Sequence, residues 1–125
     1  MQEENPLRNE VDRFILEEID SVPHLEALLL LWNSRPRPWP VDELAHSLYI
    51  TSDRTLVILH DLQQRNLASF DSGLWFCDPR SSRSDLLEHV ETTYRRELIR
   101  ISSMIHSKAS PAVRQFARAF RLKKD

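Results

Sequence analysis

The sequence has very little glycine and cysteine, and each scarcity excludes a class of protein. Glycine occurs once in 125 residues, at Gly73, so no glycine-rich loop can bind a phosphate or a dinucleotide. The single cysteine, Cys77, excludes an internal disulfide and a multi-cysteine metal site. The apolar run at 28–32 is far shorter than the roughly 20 residues of a membrane span. The first ten residues are polar and acidic, so we expect no secretory signal peptide. We predict a cytoplasmic protein that does not bind a membrane.

The composition is that of one globular domain, with 41% hydrophobic and 29% charged residues. The net charge of −2 conceals a gradient along the chain. Residues 1–20 have seven acidic and two basic side chains, residues 21–94 have ten and six, and residues 95–125 have two and nine. The chain thus has an acidic body and a basic C-terminal part. This is the first feature that bears on function, because a block of like charges is often an interaction segment.

The spacing of apolar residues predicts a mainly helical chain with one small hairpin. Ser21 and Pro23 are typical of a helix start, and Gly73 is typical of the turn between two strands. We therefore predict a single domain, 1–125, made of an N-terminal helix (8–20), a core (22–78) and C-terminal helices (84–122). Its elements are helices at 8–20, 24–33, 41–48, 52–66, 84–106 and 113–120, an extended connector at 35–40, and strands at 67–70 and 74–77.

A short helix, a tight turn, a second helix and a hairpin follow one another at 41–78, which is the winged helix-turn-helix layout. The stretch DLQQRNLASF (61–70) resembles the segment that ends the recognition helix of MarR-type bacterial regulators, with Asn66 at the usual glycine and Leu67 opening the wing. The resemblance covers 24–78. It predicts a winged helix-turn-helix flanked by an N-terminal helix and long C-terminal helices.

The resemblance implies a dimeric transcriptional regulator that binds double-stranded DNA. The helix at 52–66 would then enter the major groove with its N-terminal end first, and the connector arginines would reach backbone phosphates. Solvated surface side chains are the alternative interpretation of the same residues. The predicted DNA-binding residues are Ser52, Arg54, Thr55, Arg35 and Arg37.

The charges on this surface oppose the analogy. The wing has no lysine or arginine and has Asp71 at its tip, although phosphate neutralisation dominates affinity for DNA. We therefore keep a second hypothesis, a winged-helix module that binds a protein through Trp39, the acidic body or the basic tail. A regulator should place Arg35, Arg37, Arg54 and Arg65 on one side of the dimer, and an interaction module need not.

The C-terminal segments allow several interpretations. The apolar stripe of the helix at 84–106 fits a homodimer interface, or it packs on the first helix of its own chain. The basic residues at 114–124 suit DNA, an acidic partner or the acidic N-terminal helix. Apolar space between the long helix and the core would suit a small-molecule sensor.

The sequence contains no arrangement typical of an enzyme. The five histidines lie on separate elements without metal-ligand spacing, and Cys77 at the end of a strand favours a buried, inert thiol. The adjacent acidic pairs at 17–18 and 42–43 point to different sides of a helix. We predict no catalytic residue, no metal site and no cofactor.

Overall fold

A computed structural model of the chain describes residues 6–109. The predicted helix at 113–120 and the basic residues at 114–124 lie outside this range. Within it, no helix combines the length and the apolar character needed to cross a membrane. The described elements are α1 (Pro6–Glu18), α2 (Val22–Ser34), α3 (Val41–Leu48), α4 (Ser52–Gln64), β1 (Ser69–Asp71), β2 (Leu74–Phe76), α5 (Ser84–Arg96) and α6 (Leu98–Ala109).

Helix α2 lies at the centre of the core, as its nearly continuous apolar sequence predicts. The Ser21 side chain accepts a hydrogen bond from the His24 backbone N–H at 3.2 Å, and Pro23 occupies the first turn. The elements that pack against α2 are α3, α4, α5, α6 and β2. Helix α1 begins and ends two residues before its predicted bounds of 8–20.

The helix-turn-helix is formed by α3 and α4. Helix α3 has the predicted bounds and is capped by the next residue, Tyr49, whose φ of 59° lies in the left-handed region. The Thr51 side chain then accepts a hydrogen bond from the backbone N–H of Arg54 at 3.1 Å and caps α4. Buried Leu44 of α3 and Leu59 of α4 belong to the same apolar core, which fixes the angle between the two helices.

The wing is an antiparallel hairpin in which Ser69 pairs with Phe76. Its turn contains Gly73 at a φ of +80°, as predicted for the single glycine. Trp39 extends the hairpin, because its backbone N–H donates to the Trp75 carbonyl at 2.7 Å and its own carbonyl accepts at 2.8 Å. Trp39 is buried and donates its indole N–H to Ser34, so the prediction that it meets a partner protein is wrong.

The prediction of one uninterrupted helix at 84–106 is also wrong. The helix breaks at Glu97 (φ −130°, ψ 48°), so that α5 and α6 both pack along α1. Ile101 and Ile105 of α6 and Leu87 and Val90 of α5 are buried within the chain. The apolar stripe therefore packs on helices of its own chain. Of the two interpretations of this stripe, the structure supports packing within the chain and not a dimer interface. Near the break, Ile99 remains 76% exposed.

Candidate nucleic-acid interface

The outer face of α4 carries one cation that has no partner in the described part of the chain. Arg54 is exposed in the first turn of the helix, and its guanidinium makes no hydrogen bond or ion pair with any residue in the range 6–109. Asp53 precedes it on the same exposed turn. A guanidinium in this position can donate two parallel hydrogen bonds to a guanine edge or to a phosphate.

Ser52 lies at the start of α4, where its hydroxyl donates to the Asp42 carboxylate at 2.6 Å. This hydrogen bond joins the start of α4 to the first turn of α3. The oxygen of Ser52 keeps an acceptor position, so a hydrogen bond from an outside donor is compatible with the contact to Asp42.

Thr55 does not face outward, in contrast to the sequence prediction. It is fully buried, and its hydroxyl donates to the Thr51 carbonyl at 2.8 Å. The reason is helical periodicity, because Thr55 shares the inward face of α4 with Ile58, Leu59 and Leu62. The prediction grouped Thr55 with Ser52 and Arg54 by nearness in sequence and not by face.

Arg35 and Arg37 are exposed, but both contact aromatic rings. The guanidinium carbon of Arg35 lies 3.4 Å from the Trp32 ring centroid, and that of Arg37 lies 3.8 Å from the Trp39 centroid. Arg35 also donates to the Trp32 carbonyl at 2.6 Å, and Arg37 donates to the Glu43 carboxylate at 2.6 Å. A phosphate contact would have to replace these interactions.

Arg65 lies at the far end of α4, directed toward α1. It donates to the Glu17 carbonyl at 3.2 Å and lies 3.6 Å from the Asp20 carboxylate. Eleven residues of helix separate it from Arg54, a rise of about 16 Å. Arg65 therefore does not join Arg54 in one cationic cluster.

The surface between α4 and the wing is mostly neutral and partly apolar. Tyr49 is 93% exposed at the turn, Val57 is 60% exposed on α4, and Phe70 is 49% exposed on the wing. The His60 ring packs edge-on against Trp75, with 5.4 Å between ring centroids. Such a surface attracts phosphate weakly and suits contact with a protein as well.

A histidine network that the sequence did not indicate joins α2 to α4. The Ser21 hydroxyl lies 2.6 Å from His24 Nδ1, and His24 Nε2 lies 2.8 Å from the Asp61 carboxylate. A neutral imidazole that donates from Nε2 and accepts at Nδ1 satisfies both contacts. Serine hydrolases place the carboxylate at Nδ1 and the serine at Nε2, so this order is the reverse of a catalytic triad. Its geometry holds two helices together.

The same histidine is part of a group that resembles a set of metal ligands. One ligand atom from each of Asp20, His24 and Asp61 lies within 4.8 Å of the others. Arg65 already places a cation 3.6 Å from Asp20, and His24 Nε2 is directed at Asp61. Both contacts satisfy the carboxylates within the chain.

A groove between α2, α3 and α5 has a volume of about 500 Å³, the size of small-molecule sites. The Tyr94 hydroxyl donates to the Glu26 carboxylate at 3.3 Å, and burial together with that carboxylate raises the pKa of Tyr94. Glu91 pairs with Arg95, whereas Glu26 has no cationic partner among residues 6–109. The groove thus has an excess of negative charge. That a small molecule binds in this space and is sensed by the protein stays a prediction. Its lining residues are Glu26, Leu29, Leu30, Asn33, Ser47, Leu48, Glu91, Tyr94, Arg95 and Leu98.

Comparison with solved structures shows a similarity in fold. The structure is similar to the crystal structure of Rv2887, a MarR family protein of Mycobacterium tuberculosis, with a TM-score of 0.55 and 19% sequence identity. The alignment covers 95% of this chain and 86% of that chain. The chain has a MarR-like winged-helix fold. No protein-family model and no curated protein sequence matches the chain.

Proposed function

We propose that the protein is a non-enzymatic, bacterial-type transcriptional regulator in the cytoplasm that binds double-stranded DNA through the N-terminal end of α4. One observation carries the proposal. Arg54 presents a guanidinium without a partner among residues 6–109 on the first turn of the helix that enters the major groove in winged-helix proteins of this class. The MarR-like fold supports the proposal, because winged helix-turn-helix proteins bind DNA with the second helix of the motif, which is α4 here.

A homodimer is part of the proposal. Two copies would present two Arg54 side chains to successive major grooves, about 34 Å apart on the duplex. The buried stripe of α5 and α6 cannot form the interface, so we assign it to the exposed apolar surface at the start of α6, where Leu98 and Ile99 lie. Ser52 would accept a hydrogen bond from a base, and Arg35 and Arg37 would reach phosphates after leaving their aromatic rings.

The experiment is a DNA-binding measurement with a matched control. A binding sequence is first selected from random duplexes, and fluorescence anisotropy then compares wild type, Arg54→Ala and Arg13→Ala. Arg13 is an exposed arginine of α1 without a partner among residues 6–109, so both variants lose the same charge. We expect Arg54→Ala to lower the affinity for the selected sequence by roughly tenfold or more, with Arg13→Ala near wild type. A folded Arg54→Ala protein with wild-type affinity would refute the assignment.

A protein-binding module is the second candidate, favoured by the exposure of Tyr49, Val57 and Phe70 in the helix-turn-helix and the wing. The same titration separates the two functions. Absence of any binding to selected or mixed-sequence duplexes, even at low salt, would remove DNA as the partner. The surface between α4 and the wing would then be the place to look for a protein contact.

A further inference from the structure

An apolar groove lies between α1 and α6 and has no cover among residues 6–109. We call it the α1–α6 groove. Its volume is about 460 Å³, and Leu16 at its edge is 49% exposed. An open apolar surface of this kind is a favourable site for another apolar segment. The residues that line it are Leu16, Arg100, Ser103, Met104, Ser107 and Lys108.

The chain leaves α6 directly beside this groove. The Lys108 ammonium group donates to the carbonyls of Ile15 and Leu16, at 2.9 and 2.7 Å. The next residue, Ala109, is the last of α6, and sixteen further residues follow it in the sequence. Pro111 disfavours a straight continuation of the helix. A segment that turned back after Ala109 would therefore start beside Leu16 and run along the groove.

The sequence of that segment matches the groove in pattern and in length. Val113, Phe116, Ala117 and Phe120 have the spacing of one helical face. A helix over 113–120 would be about 12 Å long, which equals the rise of α6 from Arg100 to Lys108.

The two cations in the lining of the groove already have partners within the chain. Arg100 donates to the carboxylates of Asp12 and Glu97, and the Lys108 ammonium donates to two backbone carbonyls. The exposed carboxylates of Glu10 and Glu17 line a different groove, on the side of α1 that carries Arg13 and faces Arg83. Burial of the two phenylalanines, and not charge, therefore favours docking, and the five basic side chains of residues 110–125 have to stay on the solvent side of the segment.

We propose that residues 113–120 dock in the α1–α6 groove of their own chain, antiparallel to α6, with Phe116 and Phe120 against Leu16 and Met104. The basic side chains of the segment then stay on its solvent side, away from Arg100 and Lys108. In this arrangement the tail packs on its own chain and does not extend along DNA.

The test is disulfide formation in the full-length chain. Ser103→Cys is combined with Ala117→Cys, one position exposed in the groove and one on the apolar face of the segment. Cys77 does not compete, because burial raises its pKa to about 12. The control pair is Thr92→Cys with Ala117→Cys, since Thr92 is exposed on α5 and outside the groove. Unlabelled and ¹⁵N-labelled chains are unfolded together, refolded as a mixture, oxidised and analysed by peptide mass spectrometry.

We expect linked peptides that join only chains of the same label, at several times the yield of the control pair. A further Phe116→Asp change should reduce that yield to the control value, because it removes the apolar contact. Links between differently labelled chains would overturn the proposal and show that a second copy covers the groove. A yield no greater than that of the control pair would also overturn it, because no docking would then occur.

Discussion

Raising the salt concentration should weaken DNA binding only gradually if the described cations form the contact. Each phosphate neutralised by a cation contributes about −0.9 to the slope of log affinity against log salt. Arg54 is the one cation of the α4 surface without a partner among residues 6–109, so a dimer offers two. The expected slope is therefore about −2. Release of Arg35 and Arg37 from their tryptophans would raise the count to six and the slope to about −5.

Anisotropy titrations between about 50 and 200 mM salt distinguish these values. A slope near −2 corresponds to roughly a tenfold loss of affinity over that range, and a slope near −5 to roughly a thousandfold loss. Glu43→Gln removes the carboxylate that holds Arg37 at 2.6 Å, so this variant should have a steeper slope than wild type. A steep slope that persists when Arg35 and Arg37 are both alanine would refute the reasoning. Cations outside residues 6–109 would then be in contact with the DNA.

Two further predictions concern stability. Leu59→Ala removes a fully buried side chain of α4 and should lower the free energy of unfolding by about 2–5 kcal/mol in denaturant titration, whereas Val57→Ala on the exposed face should change it by less than about 0.5 kcal/mol. Equal losses would contradict the orientation of α4. A hydrogen bond from Arg100 lowers the pKa of Glu97, so its ionised form stabilises the fold above the ordinary glutamate pKa of about 4.3, and that contribution is lost as the pH falls below it. Arg100→Gln should therefore weaken the acid dependence measured by unfolding between pH 7 and 3, and an unchanged dependence would contradict the assignment.

Local chemistry explains which elements could be predicted from the sequence. A capping side chain, a proline or a residue at positive φ acts within a few positions of its own place in the chain. Ser21 therefore marks the start of α2, Asn66 (φ 61°) follows the end of α4, and Gly73 marks the turn of the wing. The short helix, the turn, the second helix and the hairpin followed from such signals. Their order along the chain is enough to indicate the MarR-like fold.

The features that escaped prediction depend on contacts between distant parts of the chain. The apolar spacing continues through Tyr94, Leu98 and Ile101, so nothing local reveals the break at Glu97. His24 and Asp61 are 37 residues apart and meet only because α2 packs on α4. The DNA-binding residues are harder still to predict from the sequence. Whether an arginine side chain is free to contact DNA depends on its neighbours in the folded chain.

The small number of available cations bears on selectivity as well as on affinity. Non-specific binding to DNA arises almost entirely from phosphate neutralisation, whereas specific binding adds directional contacts with base edges. Compared with a surface rich in cations, a surface with one available guanidinium among residues 6–109, beside Val57 and a wing without lysine or arginine, therefore loses more non-specific than specific affinity. The ratio of the two affinities decides which sites are occupied in a genome. Selectivity thus depends on whether Arg54 contacts a base edge or a phosphate. A base contact predicts that Arg54→Ala lowers the affinity for the selected sequence more than that for mixed-sequence duplexes, whereas a phosphate contact predicts equal losses and a shallower salt slope.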